Sequence, residues 1–211
     1  MMRPAIIVLA KEPRPGRVKT RLCPPCSPTE AAALAEAALR DTLAASVRTE
    51  PAGRVVLALD GEPGPWLPRG VDVIRQRGNG LAARLTAAFD DVRGPALLVG
   101  MDTPQLTPAL LAEGLTQLGR EAVDAVLGLA HDGGWWAIGL KRPDRRVFTG
   151  VPMSTPWTGA RQLRRLHAIG LRVASLPRLT DVDDIASAVV VARESPATNF
   201  ARTLGALAVP A

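Results

Sequence analysis

The chain has 211 residues, 47% of them hydrophobic, which suits a single domain spanning 1–211 with a sizeable core. No apolar run approaches the ~20 residues of a membrane-spanning helix, and the N-terminus, with one Arg before a very short apolar segment and no small-residue cleavage site, does not read as a signal peptide; a cytoplasmic protein is expected. The net charge of +6 comes from 26 basic against 20 acidic residues, but aromatics are only 3% and Tyr is absent, so the stacking platforms that hold single-stranded bases are missing. Small phosphorylated ligands are therefore expected in place of nucleic acid.

Ala5 to Ala10 is a short apolar run rich in β-branched residues, as in a buried strand. The segment that follows, K-E-P-R-P-G-R-V-K-T-R-L at Lys11–Leu22, cannot continue into a helix. Pro13 and Pro15 remove two amide donors, and Gly16 permits a tight bend. It carries five cations, Lys11, Arg14, Arg17, Lys19 and Arg21, against the single anion Glu12. A basic loop at the carboxyl end of a first parallel strand lies where open α/β sheets bind ligands, and a polyanionic phosphate is the ligand that needs so many cations. The other reading of the same residues is a solvated basic loop. Cys23 and Cys26 form C-P-P-C with no second Cys pair and with His131 and His167 far off in sequence, so they read as ordinary loop thiols.

Ser27, Pro28 and Glu30 form a capping-box start for a helix to about Ser46. Arg54–Leu59 reads as a second strand closed by Asp60-Gly61, and Val71–Ile74 as a short third. Gln76 to Arg84 runs through a flexible Gly78/Gly80 pair into a helix reaching about Val92. There Gln76 is placed to read a base edge and Arg84 to reach a phosphate beside the free amides of a helix N-terminus; a plain turn and helix start explains the segment equally.

Pro95–Val99 is another buried strand, and it ends in G-M-D-T-P at Gly100–Pro104. A carboxylate just past a strand, in a turn shaped by Gly and Pro, suits a hard cation such as Mg²⁺, which takes few carboxylates plus substrate phosphates. Asp102 is that residue, or else an Asx-turn residue capping its own loop. Thr107-Pro108 caps a helix to about Leu118, and Val123–Leu129 is the next strand. His131-Asp132-Gly133-Gly134 then turns the chain back into a strand to Leu140, with Trp135 and Trp136 on opposite faces. Asp132 is either a second site carboxylate or a hairpin turn residue. His131 is an acid/base contact or an ordinary surface histidine.

A helix is expected to start within Met153–Pro156 and run to about Ile169, followed by a strand over Leu171–Leu176. Asp181-Val182-Asp183-Asp184 opens the next helix, where carboxylates suit the positive end of the dipole. Asp183 is a candidate second metal ligand, and capping alone also explains it. Ser195-Pro196 caps the last helix. The alternation of strand and helix implies a mostly parallel sheet flanked by helices.

With these residues in view, the chain resembles the nucleotide-diphospho-sugar transferase superfamily, the Rossmann-like glycosyltransferase-A fold. More closely, it is similar to a bacterial transferase family related to phospholactate guanylyltransferase and the molybdenum-cofactor nucleotidyltransferases. The resemblance spans Ile6 to about Ala188 and rests on Lys11–Leu22, Gly100–Pro104 and D-G-G-W-W-A-I-G-L at Asp132–Leu140. It implies that Lys11 and the basic loop, with Gly16, Lys19 and Arg21, hold nucleotide phosphates; Gln76, Gly80 and Arg84 are expected nucleotide-binding residues from their own place at the helix start. Asp102 would hold Mg²⁺ or Mn²⁺, with Asp183 at the later acidic position. In two places the chain departs from the pattern. His131 stands where the family shows a first acid before the glycine pair, and Gly80-Leu81-Ala82-Ala83 stands where the family tends to have Gly-Asp-Leu-Gly.

The expected activity is nucleotidyl transfer from a nucleoside triphosphate to a phosphorylated small-molecule acceptor, with Lys19, Arg21, Asp102 and Asp132 at the reacting groups. The loop's charge favours a triphosphate, and Asp102 is followed by Thr103-Pro104 instead of completing Asp-x-Asp. The alternatives are a glycosyltransferase with a nucleotide-sugar donor, using Asp132 or His131 on an acceptor hydroxyl, and a nucleotide-binding regulator without turnover.

Overall fold

The computed structural model describes residues 3–50 and 52–207. In chain order the elements are β1 (Ala5–Lys11), a 3-10 turn (Thr20–Leu22), α1 (Pro28–Val47), β2 (Arg54–Asp60), β3 (Val71–Arg75), α2 (Gly80–Val92), β4 (Ala96–Gly100), α3 (Pro108–Gly119), β5 (Ala125–Ala130), β6 (Trp135–Leu140), a second 3-10 turn (Arg145–Phe148), α4 (Thr158–Ala168), β7 (Val173–Leu179), α5 (Ile185–Glu194) and α6 (Asn199–Ala206). The strands form one sheet in the order β3-β2-β1-β4-β6-β5-β7. All pairings are parallel except those of β6, which runs against both β4 and β5. The expected α/β architecture, a mostly parallel sheet flanked by helices, is the one observed. No helix among the described residues is long and apolar enough to cross a membrane.

β1 shows why these residues make a central strand. Ile6, Val8 and Ala10 enter the core under α1 and α3, while Ala5 and Ile7 enter the core on the other face with Leu85 and Phe89 of α2. Both faces are buried, so the run is continuously apolar instead of alternating. Helix α1 is covered on two sides. Its Leu39 and Leu43 face the sheet, and its Leu34 and Ala38 join a third cluster with Leu22, Val182, Val191 and Phe200. The capping box at its start forms as expected: Glu30 N donates to Ser27 Oγ and Ser27 N to Glu30 Oε2.

Four boundaries differ from the sequence expectation. Helix α4 begins at Thr158 instead of Met153–Pro156, because the preceding segment is tied down elsewhere: Gly159 N donates to Gly133 O, and Thr158 Oγ1 donates to Pro152 O. Of the Asp181–Asp184 run only Asp184 caps α5; Asp181 and Asp183 lie before it. The last helix is capped by Thr198, not Ser195, and Asp41 of α1 accepts from Asn199 N and Phe200 N at its start. Strand β7 also runs past Pro177, which an edge strand tolerates.

Six strands run the same way, so their carboxyl ends share one edge of the sheet. The segments that leave β1, β2, β3, β4, β5 and β7 there carry the candidate site residues.

Candidate functional site

The loop after β1 is pinned at both ends. At its base Glu12 N donates to Asp60 O, and Glu12 Oε2 accepts from Glu62 N at 2.9 Å. At its far end the apolar side chains of Val18 and Leu22 are buried. Lys19, between these two anchors, adopts left-handed backbone (φ 49°), and its side chain points inward. Only 7% of that side chain is exposed, and the ammonium contacts both Asp102 Oδ1 and the Val182 carbonyl. Gly16 (φ 75°) makes the exposed bend. Arg14 pairs with Glu12 at 2.6 Å and Arg21 with Asp183 at 3.3 Å, while Lys11 and Arg17 face solvent. Lys11 N donates to the Met101 sulfur.

The segments after β4 and β7 are laced together. Val182 N donates to Asp102 O at 2.9 Å, and Gln105 Nε2 donates to Thr180 O at 2.6 Å. Asp181 is held between those two bonds. It is mostly buried, and its carboxyl is pushed up to about 7, first by burial and then by the negative charges of Asp102 and Asp132, against the opposing pull of Lys19. Its Oδ1 has no exposed surface and no hydrogen-bond partner among the described residues.

The hairpin between β5 and β6 borders this cluster. His131 N donates to Leu179 O, and Asp132 Oδ1 accepts from Gly134 N at 2.8 Å, so Asp132 shapes the turn while its charge also reaches Asp181. Gly133 (φ 91°) leaves no room for a Cβ, which would collide with the Pro156 carbonyl; this contact seats the loop before α4 on the turn. The two tryptophans do part: Trp136 packs on the α1/α3 face and donates to Pro177 O, and Trp135 packs on the opposite face.

A second group lies on the β1/β2/β3 side of the same edge. Gln76 Nε2 donates to Ala10 O and Ala58 O at 2.8 and 2.9 Å, and Arg84 Nη1 donates to Asp60 Oδ2 at 2.7 Å and to Gln76 Oε1. Gln76 thus braces β1 against β2, and Arg84 is paired with a carboxylate. Asp60 is held below its ordinary range by that hydrogen bond first and by the charges of Arg84, Arg17 and Lys11 after it. Gly80 (φ 80°) opens α2 beside them with open space around it. The structure therefore gathers Lys19, Arg21, Asp102, Asp132 and Asp183 on one side and Lys11, Gln76, Gly80 and Arg84 on the other, with the basic loop between. Asp60 and Asp181 were not singled out from the sequence. Asp60 stands at a strand end as Asp102 does, so the same rule would have found it. The burial of Asp181 has no local signal. Cys23 and Cys26 are free thiols, the second buried and its thiol raised by that burial.

The donor chemistry at Asp102 fits a hard divalent cation. Asp102 is 45% exposed on its side chain and Asp183 46%, and both offer carboxylate oxygen. Among the described residues no three His, Cys, Asp or Glu side chains group closely enough to hold a metal by themselves. A cation here would take one or two carboxylates from the protein and its other ligands from phosphate and water, as Mg²⁺ usually does. Two surface hollows, around Arg54 and Arg93 and around Lys141 and Arg172, open at the opposite edge of the sheet.

A family model described as "Uncharacterized protein conserved in bacteria (DUF2064)" matches residues 33–155. No curated protein sequence matches the chain. Among solved structures, the fold is similar to that of a candidate nucleotide-diphospho-sugar transferase from Desulfovibrio desulfuricans, 26% identical over 97% of this chain and 95% of that one, with a TM-score of 0.84. It is also similar to CMP:2-keto-3-deoxy-manno-octonic acid synthetase complexed with CTP (15% identity, 92% and 99% coverage, TM-score 0.59). A third similar structure is Rv0371c of Mycobacterium tuberculosis in complex with manganese (21% identity, 90% and 97% coverage, TM-score 0.52). The architecture is thus that of the nucleotide-diphospho-sugar transferases and nucleotidyltransferases.

Proposed function

The chain belongs to that bacterial family, and we propose that it is a metal-dependent nucleotidyltransferase, moving a nucleoside monophosphate from a nucleoside triphosphate to a phosphorylated small-molecule acceptor. The observation that carries this reading is the Lys19 ammonium, nearly buried at the carboxyl edge of the sheet and flanked by Lys11, Arg14, Arg17 and Arg21.

In the reaction an acceptor oxygen attacks the α-phosphorus, the bond from that phosphorus to the bridging oxygen breaks, and the electron pair leaves with pyrophosphate. Negative charge grows on the leaving group. Lys19 and the loop arginines are aimed where that charge develops, which lowers the barrier more than it favours the ground state. Arg14 and Arg21 are paired with Glu12 and Asp183 at exposed positions. Such pairs are worth about 0–1 kcal/mol, so phosphate oxygens displace the carboxylates at little cost. Asp102, with an acidic partner from the Asp181–Asp183 segment, would hold Mg²⁺ or Mn²⁺, and that cation would neutralise charge on the phosphates when bound. The neighbour complexed with CTP and the neighbour with manganese support the choice of nucleotide and metal.

The Desulfovibrio neighbour favours a second reading, glycosyl transfer from a nucleotide-sugar. There the loop and Asp102 grip a diphosphate, and Asp132 or His131 takes the proton of an acceptor hydroxyl. The test is pyrophosphate release with Mg²⁺, the common nucleoside triphosphates and a panel of phosphorylated acceptors, run beside a nucleotide-sugar panel. Pyrophosphate is expected. Nucleoside diphosphate from a nucleotide-sugar, with no pyrophosphate, would establish the glycosyltransferase, and binding without product a regulator.

A further inference from the structure

Of the four tryptophans, Trp66 and Trp136 are buried and Trp135 is half-buried, but Trp157 is 69% exposed. A single exposed aromatic needs no explanation by itself. The backbone under this one, however, is firmly seated. Gly159 N donates to Gly133 O at 2.8 Å, the Pro156 carbonyl fills the space where a Gly133 Cβ would stand, and the buried Thr158 donates through Oγ1 to Pro152 O at 2.9 Å. The residues on both sides of Trp157 thus rest on the hairpin turn that carries Asp132, whose charge, like that of Lys19, reaches Asp181. The indole stands at the carboxyl edge of the sheet, fixed at its base, and no other ring packs on it among the described residues.

Two cations share its face. Arg161 lies four residues on and Arg164 seven, so both follow Trp157 along one side of α4, and helical side chains lean toward the N-terminus, here toward the edge. Both are exposed and unpaired among the described residues, whereas the adjacent Arg165 is spent on the Arg146 carbonyl. The strand order separates this corner from the candidate nucleotide residues. Gln76, Gly80 and Arg84 follow β3 at one margin of the sheet, and Trp157 rests on the β5–β6 turn, beyond β1 and β4.

We infer that Trp157 and Arg161 form the acceptor subsite, and that the acceptor is a cyclic sugar phosphate. Its ring lies on the indole face, and its phosphate lies between the Arg161 guanidinium and the edge. A flat aromatic face takes the C–H side of a sugar ring, and a guanidinium takes phosphate through two parallel hydrogen bonds. An acyclic phosphate of equal charge would engage Arg161 and leave the indole uncovered.

The inference rests on the nucleotidyl-transfer reading, yet its test needs no turnover. The indole N–H groups are followed in a ¹⁵N–¹H correlation spectrum, where Trp157→Phe identifies one signal by removing it. Glucose, galactose and mannose phosphates are titrated in, beside glycerol 3-phosphate, inorganic phosphate and the parent sugars. At least one hexose phosphate is expected to shift the Trp157 signal saturably, and the acyclic and inorganic phosphates are not. By calorimetry, Trp157→Ala should weaken that hexose phosphate about tenfold and Trp157→Phe, which keeps a ring face, no more than about threefold. Arg161→Ala should weaken the hexose phosphate and spare the parent sugar. No response to any hexose phosphate, or undiminished affinity in Trp157→Ala, overturns the inference. So does a Trp157 signal moved only by a nucleoside triphosphate, which makes the indole a base platform, or only by raising the protein concentration, which makes it a contact between copies. Hexose phosphate bound at Trp157 with no pyrophosphate from any triphosphate would leave the subsite standing and remove the nucleotidyltransferase reading. Pyrophosphate released with an acceptor whose KM ignores Trp157→Ala would do the reverse.

Discussion

The ammonium of Lys19 rests on the carboxylate of Asp102, with 7% of the lysine side chain and 45% of the aspartate side chain exposed. The pair joins the loop after β1 to the loop after β4, and the Val182 carbonyl on the same ammonium adds the loop after β7. Three segments far apart in the chain thus depend on one cation, the one the proposed function assigns to the phosphates.

Replacing Lys19 by Ala is expected to weaken nucleoside triphosphate binding about 10- to 100-fold, the loss of one charge-assisted contact of roughly 1.5–3 kcal/mol. Monophosphate binding should fall less, because the loop is read as a clamp on the outer phosphates. Arg21→Ala should follow the same order with a smaller effect, since that side chain is 74% exposed. Calorimetric titration of both ligands decides it; equal losses for mono- and triphosphate mean that the loop reads the base or the sugar.

Asp102→Asn is expected to remove the Mg²⁺-dependent part of nucleotide affinity while the fold persists. The Asp102 side chain is half-exposed, and its backbone bond with Val182 N does not need the carboxylate. The check is nucleotide binding with and without Mg²⁺ for both proteins, together with their melting curves. If the Mg²⁺ response were the same in the two, Asp102 would have no part in holding the cation.

Gln76→Leu is expected to act on stability. One amide nitrogen donates to the Ala10 and Ala58 carbonyls across β1 and β2, and its loss leaves both without that donor at a cost on the order of 1–3 kcal/mol. Urea unfolding measures this. A variant as stable as wild type, with weakened nucleotide binding, would show instead that Gln76 faces the ligand.

Asp124 ties the start of β5 to the start of β7. Its carboxyl accepts from Arg172 N, Nε and Nη2 at 3.0, 2.8 and 3.0 Å, and these bonds, the side-chain ones first, hold it well below the usual carboxylate range. A depressed folded-state value means that the unfolded chain takes up the proton first. The stabilisation is therefore whole above the unfolded value of about 4 and drains away as pH falls below it. Asp124→Asn should lower the urea midpoint at pH 7, and the gap from wild type should narrow steadily below pH 4. A gap independent of pH would show that the charge of Asp124 contributes nothing.

Much of the fold and part of the site were legible in the residues. The apolar runs at β1 and β4, the Ser27–Glu30 capping box and the carboxylate after Gly100 all act through neighbours in the chain, so local physics sufficed to read the strands, the first helix and a strand-end acid. What Lys19, Gln76 and Asp181 do could not be read in that way. Each depends on a partner or a degree of burial supplied by segments remote in sequence: Asp102 and Val182 for Lys19, Ala10 and Ala58 for Gln76, the laced loops after β4 and β7 for Asp181. The late start of α4 has the same origin, since the hairpin glycine Gly133 holds the backbone at Pro156 and Gly159 where propensity alone would have begun the turn earlier. Hydrophobic periodicity and capping are set within a few residues, whereas charge balance and desolvation are set by distance in space, and only the folded sheet brings its strand ends to one edge.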